Sequence, residues 1–200
     1  LRPAAGPAAG PAAGPAAGRG RVPAARVQTV VLEEAQAARA AAYLVTNAES
    51  ATLHLDRLRT RAEDFDPDTR ERFLAGALLP AAWLVQAQRV RRWWLARLLR
   101  AFGEVDLLVA PATPFTAPLI GQKTLALGGR TVPLRPNLGL FAQPFSAVGL
   151  PVLTVPVFRA GALPMGVQLI APPWREDRCM AVGAALETAG IAASHPPTER

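Results

Sequence analysis

An α/β layered fold, a sheet flanked by helices and incomplete within this chain, is predicted by three observations. Helical sequence fills the chain from Val30 to Gly103. Apolar β-branched runs follow, and two of them, Val152–Val157 and Met165–Ile170, are joined across Arg159-Ala160-Gly161, which reads as a hairpin or close strand pair. A final helix over about Glu176–Ala189 ends at Gly190. Helices, strand, strand pair and helix in that order make a layered arrangement.

The chain opens on "PAAGPAAGPAAGPAAG", Pro3 to Gly18, a tetrapeptide repeat without a side chain large enough to pack a core. Residues 1–30 are expected to be a disordered Pro/Ala/Gly repeat tail, and residues 31–200 the folded domain. A period of four excludes collagen. Such repetition fits a linker, or equally an out-of-frame reading of a GC-rich gene. Because the chain begins at Leu1, an upstream portion is expected.

In "LEEAQAARAAAYLVTNAESATLHL", Glu33 and Glu34 occupy a first helical turn, where carboxylates suit the positive end of the helix dipole, and an Ala-dense helix runs to about Asn47. "RLRTRAEDFD" reads as a charged loop. Asp66-Pro67 supplies an N-cap and a proline at the first helical position, starting a helix to about Ala77. Pro80 opens what reads as the longest helix, ended by Gly103. On it Trp83, Ala87, Val90, Trp94, Leu95, Leu98 and Phe102 share one face, and Arg89, Arg92, Arg97 and Arg100 cluster opposite. Arg91 falls in the apolar arc, so it is expected to be mostly buried and bonded to an acid or to carbonyls, the alternative being that it snorkels past a narrow ridge to water. Val105–Ala110 is a buried-type strand stopped by Pro111. A small excursion surrounds Gly128-Gly129, and "RPNLGLFAQPFSAVGLP" is mostly irregular.

Half of the 200 residues are apolar and 18% are charged, enough for one sizeable core. The net charge of +7 is misleading, since residues 1–30 hold Arg2, Arg19, Arg21 and Arg26 without an acid. Only +3 remains on the domain, whose composition supplies no concentrated basic face, and the arginine row of the long helix reads as the solvated side of a packed helix, which argues against a nucleic-acid partner. No apolar run approaches the roughly 20 residues that span a bilayer, and no start resembles a signal peptide, so a cytoplasmic protein without membrane contact is expected. The single Cys179 suggests neither disulfide nor metal site.

The inventory for chemistry is short. It holds Ser50, Ser146 and Ser194, His54 and His195, and one lysine, Lys123. Neither Ser50 nor Ser146 sits in a G-x-S-x-G elbow, no histidine pair has metal-ligand spacing, and no Gly-rich loop opens a helix to cradle phosphate. The residues by themselves show no nucleophile.

Three blocks, "VDLLVAPATPFTAPLIG", "QPFSAVGLPVLTVPV" and "GALPMGVQLIAPPWRED", resemble the C-terminal half of the amidase signature family, in the same order and at similar spacing. The resemblance covers about residues 31–192. It implies the C-terminal portion of an amidase-type mixed sheet flanked by helices. It also implies hydrolysis of a C–N bond through a serine activated by a second serine and a lysine, without metal or organic cofactor. The family's reactive serine lies in a Gly/Ser-dense loop of the N-terminal half, which nothing here matches, and Lys123 does not fit the family's lysine. No catalytic residue is therefore assigned in this chain, which by itself is expected to be inactive.

Within the family, "HLDRLRTRAEDFDPDTRERFLAGALLPAAWLVQAQRVRRWW" carries a narrower likeness. That likeness implies a small carboxylated, urea-like amide as substrate and a small helical partner subunit. The family's C-terminal half supplies the side of the pocket that selects the acyl group, and by likeness to related amidotransferase subunits, in which an arginine after a helix end takes part, Arg59 and Arg61 are candidates for gripping the carboxylate, since guanidinium matches it bidentately. Surface loop charges are the alternative for both. Gln143 is a candidate for reading the urea-like group, a structural hydrogen bond being its alternative. The rival for the whole chain is a non-catalytic binding or assembly protein that retains the amidase half-fold.

Overall fold

The computed structural model describes residues 25–159 and 161–192. The repeat, Ser194 and His195 lie outside them, as does most of the expected disordered tail; Ala25 onward to Leu32 has no regular structure. Helix α1 spans Ala35–Thr60, α2 Pro67–Ala77 and α3 Ala81–Ala101. Strand β1 is Leu108–Pro111, β2 Thr124–Leu127 and β3 Arg130–Pro133. Two single-turn helices follow, α4 Leu134–Asn137 and α5 Gln143–Ser146, and then β4 Val152–Val157, β5 Met165–Ile170 and α6 Glu176–Thr188.

The α/β arrangement is as expected, with all described strand pairs antiparallel. β5 is the centre of a three-stranded sheet in the order β1-β5-β4, with Leu108 and Val152 both opposite Ile170. Side chains alternate across β5. Ile170 joins Trp94, Leu98, Ala38 and Phe145 in a core under α1 and α3, whereas Leu169 joins Val155, Ala171 and Cys179 under α6. The sheet is thus sandwiched between α1 and α3 on one side and α6 on the other. Burial pushes the Cys179 thiol up, as suits a core residue.

Local signals fix several boundaries. Asp66 accepts from Thr69 N at 3.1 Å and caps α2, with Pro67 opening the helix. Gly128 and Gly129 both take positive φ, 57° and 75°, the two left-handed residues that a tight hairpin turn needs between β2 and β3. At the end of α6, Gly190 at φ 69° donates to Glu187 O, and Ile191 to Leu186 O, closing the helix with a Schellman motif.

Other boundaries differ from the sequence reading. α1 does not stop near Asn47 but continues to Thr60, making it the longest helix; "RLRTRAEDFD" is its last turn followed by a 3-10 turn over Ala62–Asp64. No Gly or Pro interrupts it, and α2 packs along the extension. Gly76 lies so close to Asn47 that a Cβ there would come within 2.1 Å of the Asn47 carbonyl oxygen. Glu34 is the residue before α1 rather than part of its first turn, and its carboxylate pairs with Arg97 of α3 at 2.9 Å. β1 begins at Leu108, three residues later than expected. Trp83, placed on the apolar face, is 57% exposed because it lies in the first turn of α3, past the packed part of the helix.

Candidate functional site

The short turns of residues 134–149 leave the carbonyls of Pro136, Phe141, Pro144 and Ala147 without a donor from within the segment, so these need partners from elsewhere. Side chains on three surrounding elements supply them. Arg39 on α1 donates Nη2 to Pro136 O and, at 3.1 Å, to Asn137 Oδ1. Gln168 on β5, 3% exposed, donates Nε2 to Phe141 O at 3.2 Å and Pro111 O at 2.8 Å. On α3, Trp94 Nε1 donates to Pro144 O at 2.8 Å and Arg91 Nε to Ala147 O. Arg91 is therefore bonded to a carbonyl as expected, but it is half-buried rather than mostly buried: α3 tilts it against the α5 turn, not into the apolar core.

This scaffold presents Gln143 in a fixed orientation. Arg39 Nε donates to Gln143 Oε1 at 2.9 Å, which assigns the carbonyl end of the amide and leaves the NH2 end to donate; among the described residues nothing accepts from it. The side chain lies flat on Gly139, where a Cβ would approach its Cγ to 2.9 Å. Gln143 borders two clefts. One, of about 200 Å³, is lined also by Tyr43, Thr46, Glu49, Arg72 and Ser146. The other, of about 790 Å³, opens between Tyr43 and Arg72 on one wall and Lys123 and Arg135 on the other.

Arg72 contributes to both clefts. Its Nη2 donates to the buried Asn47 Oδ1 at 3.2 Å and its guanidinium lies 5.2 Å from the Tyr43 ring centre, while its buried Nε has no partner among the described residues. An orphaned buried donor is costly, and together with the free Gln143 amide it marks a place suited to an acceptor-rich ligand. At the mouth of the wider cleft, Arg135 binds Asp66 at 3.1 Å and Asp68 at 2.7 Å, tying β3 and α4 to the start of α2. The Thr69 backbone N–H and then Arg135 hold the Asp66 carboxyl below its ordinary value, while Asp68 and Asp66 raise Arg135.

Gln143 thus lines the clefts directly. Arg59 and Arg61 stand at the far end of α1, with exposed side chains paired to Asp56 and Asp64, and neither is among the residues lining the two clefts. Ser146 Oγ lies 3.3 Å from the Gln143 backbone carbonyl, and no histidine, lysine or carboxylate among the described residues hydrogen-bonds to it. His54 is packed between Phe65 and Phe73. Sequence reading missed Arg39, Tyr43 and Arg72. Arg39, Tyr43 and Thr46 recur at helical spacing on an otherwise Ala-rich helix, a polar stripe that could have flagged the α1 wall. Arg72 gave no such signal. No group of three or more His, Cys, Asp or Glu among the described residues could hold a metal ion, and no described helix is long and apolar enough to cross a membrane.

Comparison with known proteins places this geometry. The family model described as Amidase matches residues 21–180. The chain is 42% identical over 167 residues to the AtzE subunit of 1-carboxybiuret hydrolase from Pseudomonas sp. (strain ADP), covering 82% of this chain and 36% of that protein. It is 36% identical over 121 residues to a fatty acid amide hydrolase of Medicago truncatula, covering 60% of this chain and 20% of that protein. Among solved structures, an s-triazine catabolic enzyme described as a vestigial protein complex superposes with a TM-score of 0.76 at 43% identity, over 80% of this chain and 35% of the other. A second, described as an amidase, gives 0.75 at 26% identity, over 80% and 36%. The chain therefore spans about a third of the length of the Pseudomonas protein and of these two structures. With most of the chain, residues 21–180, matched by the family model, the chain belongs to the amidase signature family.

Proposed function

We propose that this chain is the C-terminal part of an amidohydrolase that cleaves a C–N bond of a small carboxylated, urea-like amide, with the nucleophile on a segment this chain does not contain. The observation that carries the reading is the Gln143 amide, oriented by Arg39 so that its NH2 group is left to donate in a cleft that Arg72 also lines. Fixed donors of this kind hold a carbonyl- and carboxylate-bearing substrate in one pose, and pose governs the rate of acyl transfer. Similarity to a 1-carboxybiuret hydrolase subunit supports the substrate class. Amide hydrolysis also needs a nucleophile beside a base, and Ser146 has no such neighbour among the described residues.

In this proposal Gln143 reads the urea-like group and Arg72 is the guanidinium that borders the cleft and takes the carboxylate, whereas Arg59 and Arg61, which line neither cleft, do not reach a substrate held there. The similar structure described as a protein complex supports a partner subunit, small and helical in this proposal. The test joins this chain to the N-terminal portion of the similar Pseudomonas protein, then assays 1-carboxybiuret, biuret and a simple aliphatic amide. We expect turnover by the joined protein, none by the 200-residue chain, and a raised KM with Gln143→Ala. Turnover by the chain alone, abolished by Ser146→Ala, would overturn the assignment. The free Gln143 donor and the isolated Ser146 also suit a binding or assembly protein. That reading wins if the joined protein binds the carboxylated urea without cleaving it.

A further inference from the structure

Helices α1 and α2 meet closely at Gly76, and the contact sets an arginine. A Cβ on Gly76 would come within 2.1 Å of the Asn47 carbonyl oxygen, so α2 lies directly on α1 there. One turn earlier on each helix stand Arg72 and Tyr43, at the four-residue spacing that keeps side chains on one face. The guanidinium therefore meets both residues of the α1 stripe: Nη2 donates to Asn47 Oδ1 at 3.2 Å, and Cζ lies 5.2 Å from the Tyr43 ring centre.

Among the described residues no carboxylate pairs with that charge. Glu49 shares the smaller cleft with Arg72, and Asp68 and Glu71 share the wider one, yet none of them bonds to it, and Asp68 is taken by Arg135 at 2.7 Å. Of the donor fork only Nη2 meets an acceptor, and the buried Nε meets none among the described residues. Asn47 is a costly choice for stability alone. It is 3% exposed in the middle of α1, where asparagine is a poor helix former, and its own Nδ2 has no acceptor among the described residues. An aspartate of the same shape would hold Arg72 more strongly, through an ion pair, and would cancel its charge. The neutral amide orients the guanidinium and leaves that charge for a ligand.

We propose that Asn47 is a positioning residue: by holding Arg72 through a neutral hydrogen bond, it sets the preference of the cleft for ligands that carry a carboxylate over neutral amides of the same size. This rests on the cleft assigned in the function proposed above and adds the residue that governs selectivity there. Buried beneath α2, Asn47 does not itself touch the ligand. Its effect passes through Arg72.

The probes are N-carbamoylglycine, a carboxylated urea, and its neutral amide, N-carbamoylglycinamide, titrated into the 200-residue chain by calorimetry. We expect the acid to bind about tenfold more tightly than the amide, as for a hydrogen bond to a charged group. Asn47→Asp should bring the two to near parity without lowering the thermal midpoint, because the new carboxylate pairs with Arg72. Asn47→Ala, which only frees the guanidinium, should keep more of the preference although it loses the hydrogen bond. A purely structural asparagine gives the opposite order, since aspartate keeps a partner for Arg72 and alanine does not. Equal affinity of the parent for both probes, a preference retained in Asn47→Asp, or a larger loss of preference in Asn47→Ala than in Asn47→Asp overturns the proposal. So does a midpoint lowered more by Asn47→Asp than by Asn47→Ala. The preference must persist when the same titration is made on the joined protein; its disappearance there means that the added portion supplies a carboxylate to Arg72, and overturns the proposal too. If neither probe binds, the cleft reading falls together with this one, whereas a failure of hydrolysis alone leaves the titrations standing.

Discussion

The two sides of the three-stranded sheet are built by different means. Beneath α6 the contact is dry: Leu169, Val155, Ala171, Cys179 and Ala192 pack together, and Gly183 lets α6 approach until a Cβ there would stand 2.6 Å from Leu153 Cδ2. On the opposite side Trp94, Leu98 and Ile170 pack as tightly, but polar groups are carried in with them. Gln168, Trp94 and Arg91 each donate to a carbonyl of the irregular 134–149 stretch or its border. The α6 side closes the fold, whereas the α1/α3 side holds the short turns α4 and α5 and their connections in one shape and so fixes Gln143. A site on irregular backbone is only as rigid as the side chains that satisfy its carbonyls.

The largest test of that contrast is Trp94→Ala, which empties a fully buried ring volume and frees the Pro144 carbonyl. We expect a loss of about 3–5 kcal/mol in chemical denaturation. Trp94→Phe separates packing from hydrogen bonding, with a smaller loss of about 1–3 kcal/mol for the unpaired carbonyl. On the other side, Gly183→Val should cost about 1–3 kcal/mol by overpacking α6 against Leu153, without altering ligand binding by the cleft. Gln168→Leu should cost about 1–3 kcal/mol, because the Pro111 and Phe141 carbonyls lose their donor. Unlike Gly183→Val, it should weaken binding of a carboxylated urea as well. If both variants affected binding equally, the division of labour between the two sides would fail.

The smallest effect is expected at the exposed tie between α2 and α4. Asp66 has a folded pKa below its unfolded one, so its contribution to stability is present above the unfolded value near 3.8 and is lost as pH falls through the folded value. Thermal midpoints taken from neutral pH down to about 2 should show a small drop in this window that Asp66→Asn reduces. A drop of equal size in the variant would assign the acid sensitivity elsewhere.

What the sequence determined by itself is what a few neighbouring residues encode. Asp66-Pro67 begins α2, Gly128-Gly129 turns a hairpin, Gly190 stops α6, and the Val152–Val157 and Met165–Ile170 runs pair as strands with the expected bounds. The family blocks were also legible, since they are contiguous in the chain. Tertiary structure decided the rest. Asn47 reads locally as a helix end, yet it is 3% exposed, receives Arg72, and lies mid-helix because α2 packs on it. Gln143 could be named as a candidate, but its orientation depends on Arg39, 104 residues away in sequence, and its neighbour Arg72 is brought there by the packing of α2 on α1. Local backbone preferences act over one or two turns, whereas a side chain's hydrogen-bond partner is chosen by which helices meet, and no window of sequence contains both ends of such a bond.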